Sequence, residues 1–157
     1  MAGYAASNLL AGTQQAISTA YKTLLLIEAS TGTAARRIKV HEFVFGTDGT
    51  PADQVMTYDV SRTTAAGTAT SITALPLDPA DAAMLGLTVG NHTVEPTVTA
   101  ASSLWAAGIN QRATHRWVAF PGQELVIPAT NLAGLAFRAK SPGYTGTGVV
   151  QLEFQEQ

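Results

Sequence analysis

Short apolar segments separated by Gly- and Pro-containing turns are the feature that most limits the fold of this chain. In the last of them, residues 150–155, apolar side chains alternate with Gln, Glu and Gln. A period of two is the spacing of a strand with one buried face. About nine or ten such segments follow one another without a long helical pattern between them. The sequence therefore predicts an all-β fold, an antiparallel β-sandwich or barrel, because βα units would need helices between the strands.

The apolar alternation changes phase within one of these segments, residues 38–45. Ile38 and Val40 fall on one phase of the alternation, whereas Phe43 and Phe45 fall on the other. A β-bulge near His41 and Glu42 would bring all four apolar side chains to one face.

Pro96 interrupts a Thr- and Val-rich region that is expected to supply two strands, and it favours an edge position for one of them.

A single helix-start signal interrupts the strands. Asp78 is a good N-cap, Pro79 suits the first helical position, and Asp81 falls in the first turn. The sequence thus predicts a short helical insert near residues 78–85.

The N-terminal region differs from the remainder of the chain. Residues 1–20 carry no charged side chain and place Tyr4, Leu9, Leu10 and Ile17 ahead of the first confident strand. The spacing is compatible with a weak helix, but a flexible arm is the preferred interpretation. We expect a sandwich domain over residues 21–157, preceded by an arm over residues 1–20. The four apolar side chains of the arm are then expected to contact another chain, because burial there offsets the entropy cost of ordering them.

A second candidate contact lies in the stretch NQRATHRWVAFPGQELVIPAT, residues 110–130. If residues 112–118 form a strand, Arg112 and Arg116 share one face, while His115 and Trp117 share the other. The tryptophan face is expected to look inward and the arginine face outward. Paired arginines can hold carboxylates across a subunit interface. Two solvated arginines on an exposed strand are an equally good interpretation.

Charge and motif content exclude several kinds of partner and chemistry. Charged residues make up 13% of the chain and its net charge is −2, which leaves no basic surface for nucleic acid. No apolar run approaches the roughly 18 residues of a membrane span. His41, His92 and His115 lack metal-site spacing, cysteine is absent, and no nucleophile or phosphate-loop motif is present. We therefore predict no enzyme activity, no metal and no cofactor.

Carbohydrate binding is the alternative function that the sequence leaves open. Sugars stack on exposed aromatic rings. Trp105 and Trp117 lie in apolar surroundings and are expected in the core, whereas Tyr4 and Tyr144 are the tyrosines expected to be most exposed. A receptor-binding or host-surface adhesion module would need such rings around a groove.

Four stretches carry a family resemblance, namely RTTAAGTATS (62–71), LPLDPADAA (75–83), GNHTVEPT (90–97) and the stretch at 110–130. With them, residues 36–154 resemble small virion proteins of tailed bacteriophages, some of which are capsid decoration (cement) proteins. The resemblance implies a jelly-roll-like sandwich on the capsid surface. It also implies a homo-oligomer, expected to be a trimer, that binds the major capsid protein between its subunits and stabilises the shell.

Overall fold

The computed structural model describes residues 2–30, 32 and 34–157. Strands dominate these residues, and a short 3-10 helix spans Asn8–Ala11. The strands are β1 (Ala2–Ser7), β2 (Lys22–Glu28), β3 (Ile38–Gly49), β4 (Val55–Ala65), β5 (Thr68–Ile72), β6 (Leu75–Pro76), β7 (Leu87–Val94), β8 (Thr97–Asn110), β9 (His115–Val118), β10 (Leu125–Ile127), β11 (Gly134–Lys140) and β12 (Gly146–Glu156).

The strands form two antiparallel sheets that pack face to face. Sheet I has the order β10-β3-β12-β1-β6, with β9 also paired to β3, and sheet II has the order β5-β7-β2-β11-β4-β8. Within them, β1-β12-β3-β10 and β2-β11-β4-β8 are the two four-stranded halves of a jelly roll, in which the chain alternates between the sheets. The predicted jelly-roll-like sandwich is confirmed. Pro96 does precede an edge strand, because β8 lies at the end of sheet II.

Aromatic rings from both sheets fill the space between them. Phe43 of sheet I packs edge-on against Phe137 of sheet II with ring centroids 5.5 Å apart. Phe45 stacks on Tyr58 of sheet II at 4.5 Å. All four side chains are almost fully buried. Each such burial contributes roughly 1.5–3 kcal/mol, so this cluster is a main source of stability.

The predicted bulge in β3 is confirmed. On the neighbouring strand β12, Glu153 lies opposite Glu42 and Phe154 lies opposite Val40, so His41 is the extra residue. The bulge shifts the phase of the alternation by one residue. As a result, the apolar side chains on both sides of the bulge face the core. All four are fully buried: Ile38, Val40, Phe43 and Phe45.

The predicted helical insert near residues 78–85 is wrong, because the segment forms only one 3-10-type turn. The amide of Asp81 donates to the carbonyl of Asp78 at 3.0 Å, and the helix does not continue. Further along, the Glu156 carboxylate accepts the amide of Gly86 at 2.8 Å. Because a distant side chain supplies these hydrogen bonds, the backbone does not need helical ones.

The interpretation of the N-terminal residues as a separate arm is also wrong. Residues 2–7 form β1, which pairs with β12 along its whole length and with β6 on its other side. Tyr4 stacks on Phe154 at 5.7 Å, and the amide of Ile17 donates to the carbonyl of Gly146 at 3.0 Å. Small uncharged residues are enough here because backbone pairing, not side-chain propensity, holds the strand.

Candidate interaction surfaces

The two arginines singled out in the sequence do not share a strand face. Arg116 lies on β9, but Arg112 lies in the turn after β8. Arg116 forms a bidentate pair with Glu42, with nitrogen–oxygen distances of 2.5 and 2.6 Å. This hydrogen bonding lowers the pKa of the Glu42 carboxyl. Arg112 binds both carboxylate oxygens of Asp53 at 3.0 and 3.1 Å. Both arginines thus already hold carboxylates of their own chain.

The opposite face of β9 looks inward, as the sequence predicts. Trp117 stacks on Phe43 at 4.9 Å, and His115 stacks on Trp105 at 5.0 Å. Both side chains are half-buried at the rim of the core. The two rings therefore pack against the rim of the core with part of each side chain still exposed.

Tyrosine exposure does not favour the sugar-binding alternative. Tyr4 is 2% exposed and its hydroxyl donates to the carbonyl of Ala82 at 2.9 Å. Tyr144 is also buried, and its hydroxyl donates to the carbonyl of Asp48. The prediction that these two tyrosines are the most exposed is therefore wrong, because each hydroxyl is satisfied by a distant backbone carbonyl.

Of the four apolar residues assigned to the arm, two face the core and two face solvent. Tyr4 and Ile17 are buried in their own chain, so the prediction that they contact another chain is wrong. Leu9 and Leu10, on the 3-10 helix, are 50% and 56% exposed. They are the members of the set that can still meet a partner.

These two leucines line an apolar groove at one edge of sheet I. The groove has a volume of about 270 Å³ and is bounded by residues 5–7, Leu9, Leu10, Leu75 and Gln151. None of these side chains is charged. We call this feature the leucine groove. Apolar concavities of this kind are typical of binding surfaces.

Phe120 is the large apolar residue that sequence reasoning missed. It lies between β9 and β10, at the edge of sheet I opposite the leucine groove, and is 79% exposed. Its neighbour Val118 is also exposed. The signal was present in the sequence: Phe-Pro-Gly is typical of a turn, and a turn residue has no strand face to bury.

Strand β8 forms the other long edge of the sandwich, and bulges interrupt its pairing with β4. This strand carries no charged residue between Thr97 and Asn110. Its pairing with β4 shifts register near Ser103, and Ala101 has a positive φ of 53°. A bulge of this kind twists an edge away from further pairing. The shifts affect the first part of β8, whereas Trp105–Asn110 pair regularly with β4 and leave a regular free edge.

Glu28 is a buried carboxyl side chain on the outer face of sheet II. It is fully buried, and within the described part of the chain neither of its oxygens has a hydrogen-bond partner. Gly134 lies opposite it on β11, and Thr63 lies beyond on β4 with its hydroxyl also unsatisfied. Desolvation raises the pKa of the Glu28 carboxyl. A lone buried carboxyl of this kind costs stability unless it is protonated.

Other site types find little support in residues 2–30, 32 and 34–157. No three His, Asp or Glu side chains of those residues come close enough to hold a metal ion. The 3-10 helix described above has four residues, well short of a membrane-spanning length.

No family model, no curated protein and no solved structure matches the chain.

Proposed function

We propose that this chain is a structural protein of a phage virion, of the capsid decoration type, rather than an enzyme. It would bind the major capsid protein and copies of itself on the capsid surface and stabilise the shell. The resemblance of residues 36–154 to small virion proteins is the starting point of this proposal.

One structural observation carries the proposal furthest. Large apolar side chains stay exposed at both edges of sheet I, with Phe120 on one edge and the leucine groove on the other. Neither Phe120 nor the groove leucines belong to the buried core cluster, so the core forms without them. Charged residues make up only 13% of the chain, so few charges on its surface would repel a neighbouring molecule.

Stabilisation of the shell would come from the sum of many contacts. A decoration protein gains from many modest contacts repeated over a symmetric lattice, because each bound copy raises the effective concentration of the next contact. No reactive side chain is required. A closed homo-oligomer, expected to be a trimer, fits the local three-fold positions that capsid lattices present.

Quantitative mass spectrometry of purified virions tests the proposal. We expect this chain at a fixed ratio to the major capsid protein, near one copy per capsid subunit. Shells stripped of it should melt at a lower temperature and recover when the purified protein is added back. Absence from virions, or stripped shells with an unchanged melting temperature, would contradict the proposal.

A further inference from the structure

We propose that Phe120 of one copy of this chain binds in the leucine groove of the next copy, so that the subunits join head to tail into a closed ring. This inference rests on the self-association part of the proposed function and names the surfaces that carry it. It does not depend on the capsid as partner.

The loop around Phe120 is built to hold the ring outward. The amide of Gln123 donates to the carbonyl of Phe120 at 2.8 Å, which closes a four-residue turn. Pro121 fixes the first central residue, and Gly122 has the positive φ, 83°, that a type II turn requires. The Glu124 carboxylate accepts the amide of Gly122 at 3.0 Å. A rigid turn that displays an aromatic ring loses little entropy on binding, as interface anchors require.

The leucine groove has the size and chemistry of a phenyl site. Its volume of about 270 Å³ exceeds the roughly 150 Å³ that holds a benzene molecule in an apolar cavity. Leu9, Leu10 and Leu75 supply its walls, and each is at least half exposed without a partner. A buried phenyl ring would cover these walls, and none of the residues that line the groove is charged.

The Phe120 side chain of the same molecule cannot occupy the groove. Phe120 follows β9 and precedes β10, which both pair with β3, while the groove lies by β1 and β6. From β10 to β6 the sheet spans four inter-strand spacings, or roughly 19 Å. The ring in the groove must therefore come from another molecule.

The placement on opposite edges also favours one type of symmetry. A surface and its complement at different places on one subunit make a heterologous contact, which generates rings when the rotation closes. A two-fold dimer would need Phe120 and the groove within one patch, because each would have to meet its counterpart reciprocally, whereas they lie at opposite edges of sheet I. The head-to-tail arrangement is compatible with the expected trimer, since a ring of any size uses one Phe120 and one groove per subunit.

A mixing experiment tests the inference. Phe120→Ser removes the ring but keeps the groove, whereas Leu75→Asp places a charge in the groove but keeps the ring. Leu10→Asp is the second groove variant, used if Leu75→Asp lowers the melting temperature. Val55→Ser, which changes a side chain 60% exposed on sheet II, is the control. Mass is measured by light scattering, with circular dichroism to show that each variant is folded.

Three results are expected together. The unaltered chain and Val55→Ser form the same oligomer, while each edge variant alone falls to the 16.3 kDa of one chain. An equimolar mixture of Phe120→Ser and a groove variant forms a dimer and nothing larger, because only one productive contact remains. A monomeric unaltered chain, an edge variant that keeps the oligomer, or a mixture that stays monomeric overturns the inference. Virion composition is measured separately, so failure of the capsid role leaves this result unaffected.

Discussion

Replacement of Glu28 by Gln should stabilise the protein at neutral and alkaline pH. The carboxyl is fully buried and its two oxygens find no partner among the described residues. A buried, unsatisfied polar group costs about 1–3 kcal/mol, and more when it is charged. Gln has nearly the same shape but no charge, so the variant avoids the ionisation cost. A pKa raised by one unit on folding corresponds to about 1.4 kcal/mol of stability lost on ionisation, which the Gln variant regains at pH 8. Each kcal/mol regained raises the melting temperature by roughly 2–4 °C for a domain of this size.

The pH dependence of the gain has a fixed sign. Burial raises the pKa of Glu28 in the folded state. Below the unfolded-state pKa, about 4.3, both states are protonated and the two proteins should be equally stable. As the pH rises above that value the unfolded chain ionises first, so the unaltered protein loses stability until the folded carboxyl also ionises. The difference from Glu28→Gln therefore grows from about pH 4 upward.

Thermal melts of both proteins between pH 3.5 and pH 8 measure this difference. Asp48→Asn, which removes one negative charge at an exposed position on β3, is the matched control. If Glu28→Gln melts no higher than the unaltered protein at pH 8, or if its advantage does not shrink on acidification, the carboxyl is not buried without a partner.

Three further predictions concern stability. Tyr4→Ala should cost about 3–5 kcal/mol in denaturant unfolding, because it removes a buried ring stacked on Phe154; an unchanged midpoint would restore the arm interpretation. Deletion of His41 should remove the bulge yet keep the apolar residues on both sides of it on the core face, because the shortened strand alternates regularly, so that cooperative melting is retained; a deletion variant that no longer folds would contradict the register. Arg116→Ala should lower the stability by less than about 1 kcal/mol, because the Arg116 side chain is 65% exposed even though that of Glu42 is only 17% exposed; a large drop would show that the pair holds the β3–β9 edge.

The strands with strong alternation were predictable because burial of one face imposes a period of two. The bulge in β3 could be placed for the same reason, since Ile38 and Phe43 can share a face only if one residue is added between them. Strand β1 lacked this signal. Its residues are Ala, Gly, Tyr and Ser, and its position between two partners depends on backbone pairing with residues about 150 positions away.

Patterns of neighbouring residues gave wrong predictions where residues far away in the chain supply the hydrogen bonds. Asp78 does start a turn, but Glu156 binds the following backbone and no helix forms. Arg112 and Arg116 have strand spacing, yet the chain turns between them. For the interaction surfaces, Leu9 and Leu10 could be proposed from the sequence. Their meeting with Leu75 in one groove depends on the tertiary fold.

A density map of the virion would place this subunit directly. We expect jelly-roll density on the outer surface of the capsid, repeated over the lattice and in contact with the major capsid protein. Within each oligomer, the loop with Phe120 should lie against the leucine groove of the neighbouring copy. Density for this sandwich confined to the tail, or its absence from the virion, would contradict the account.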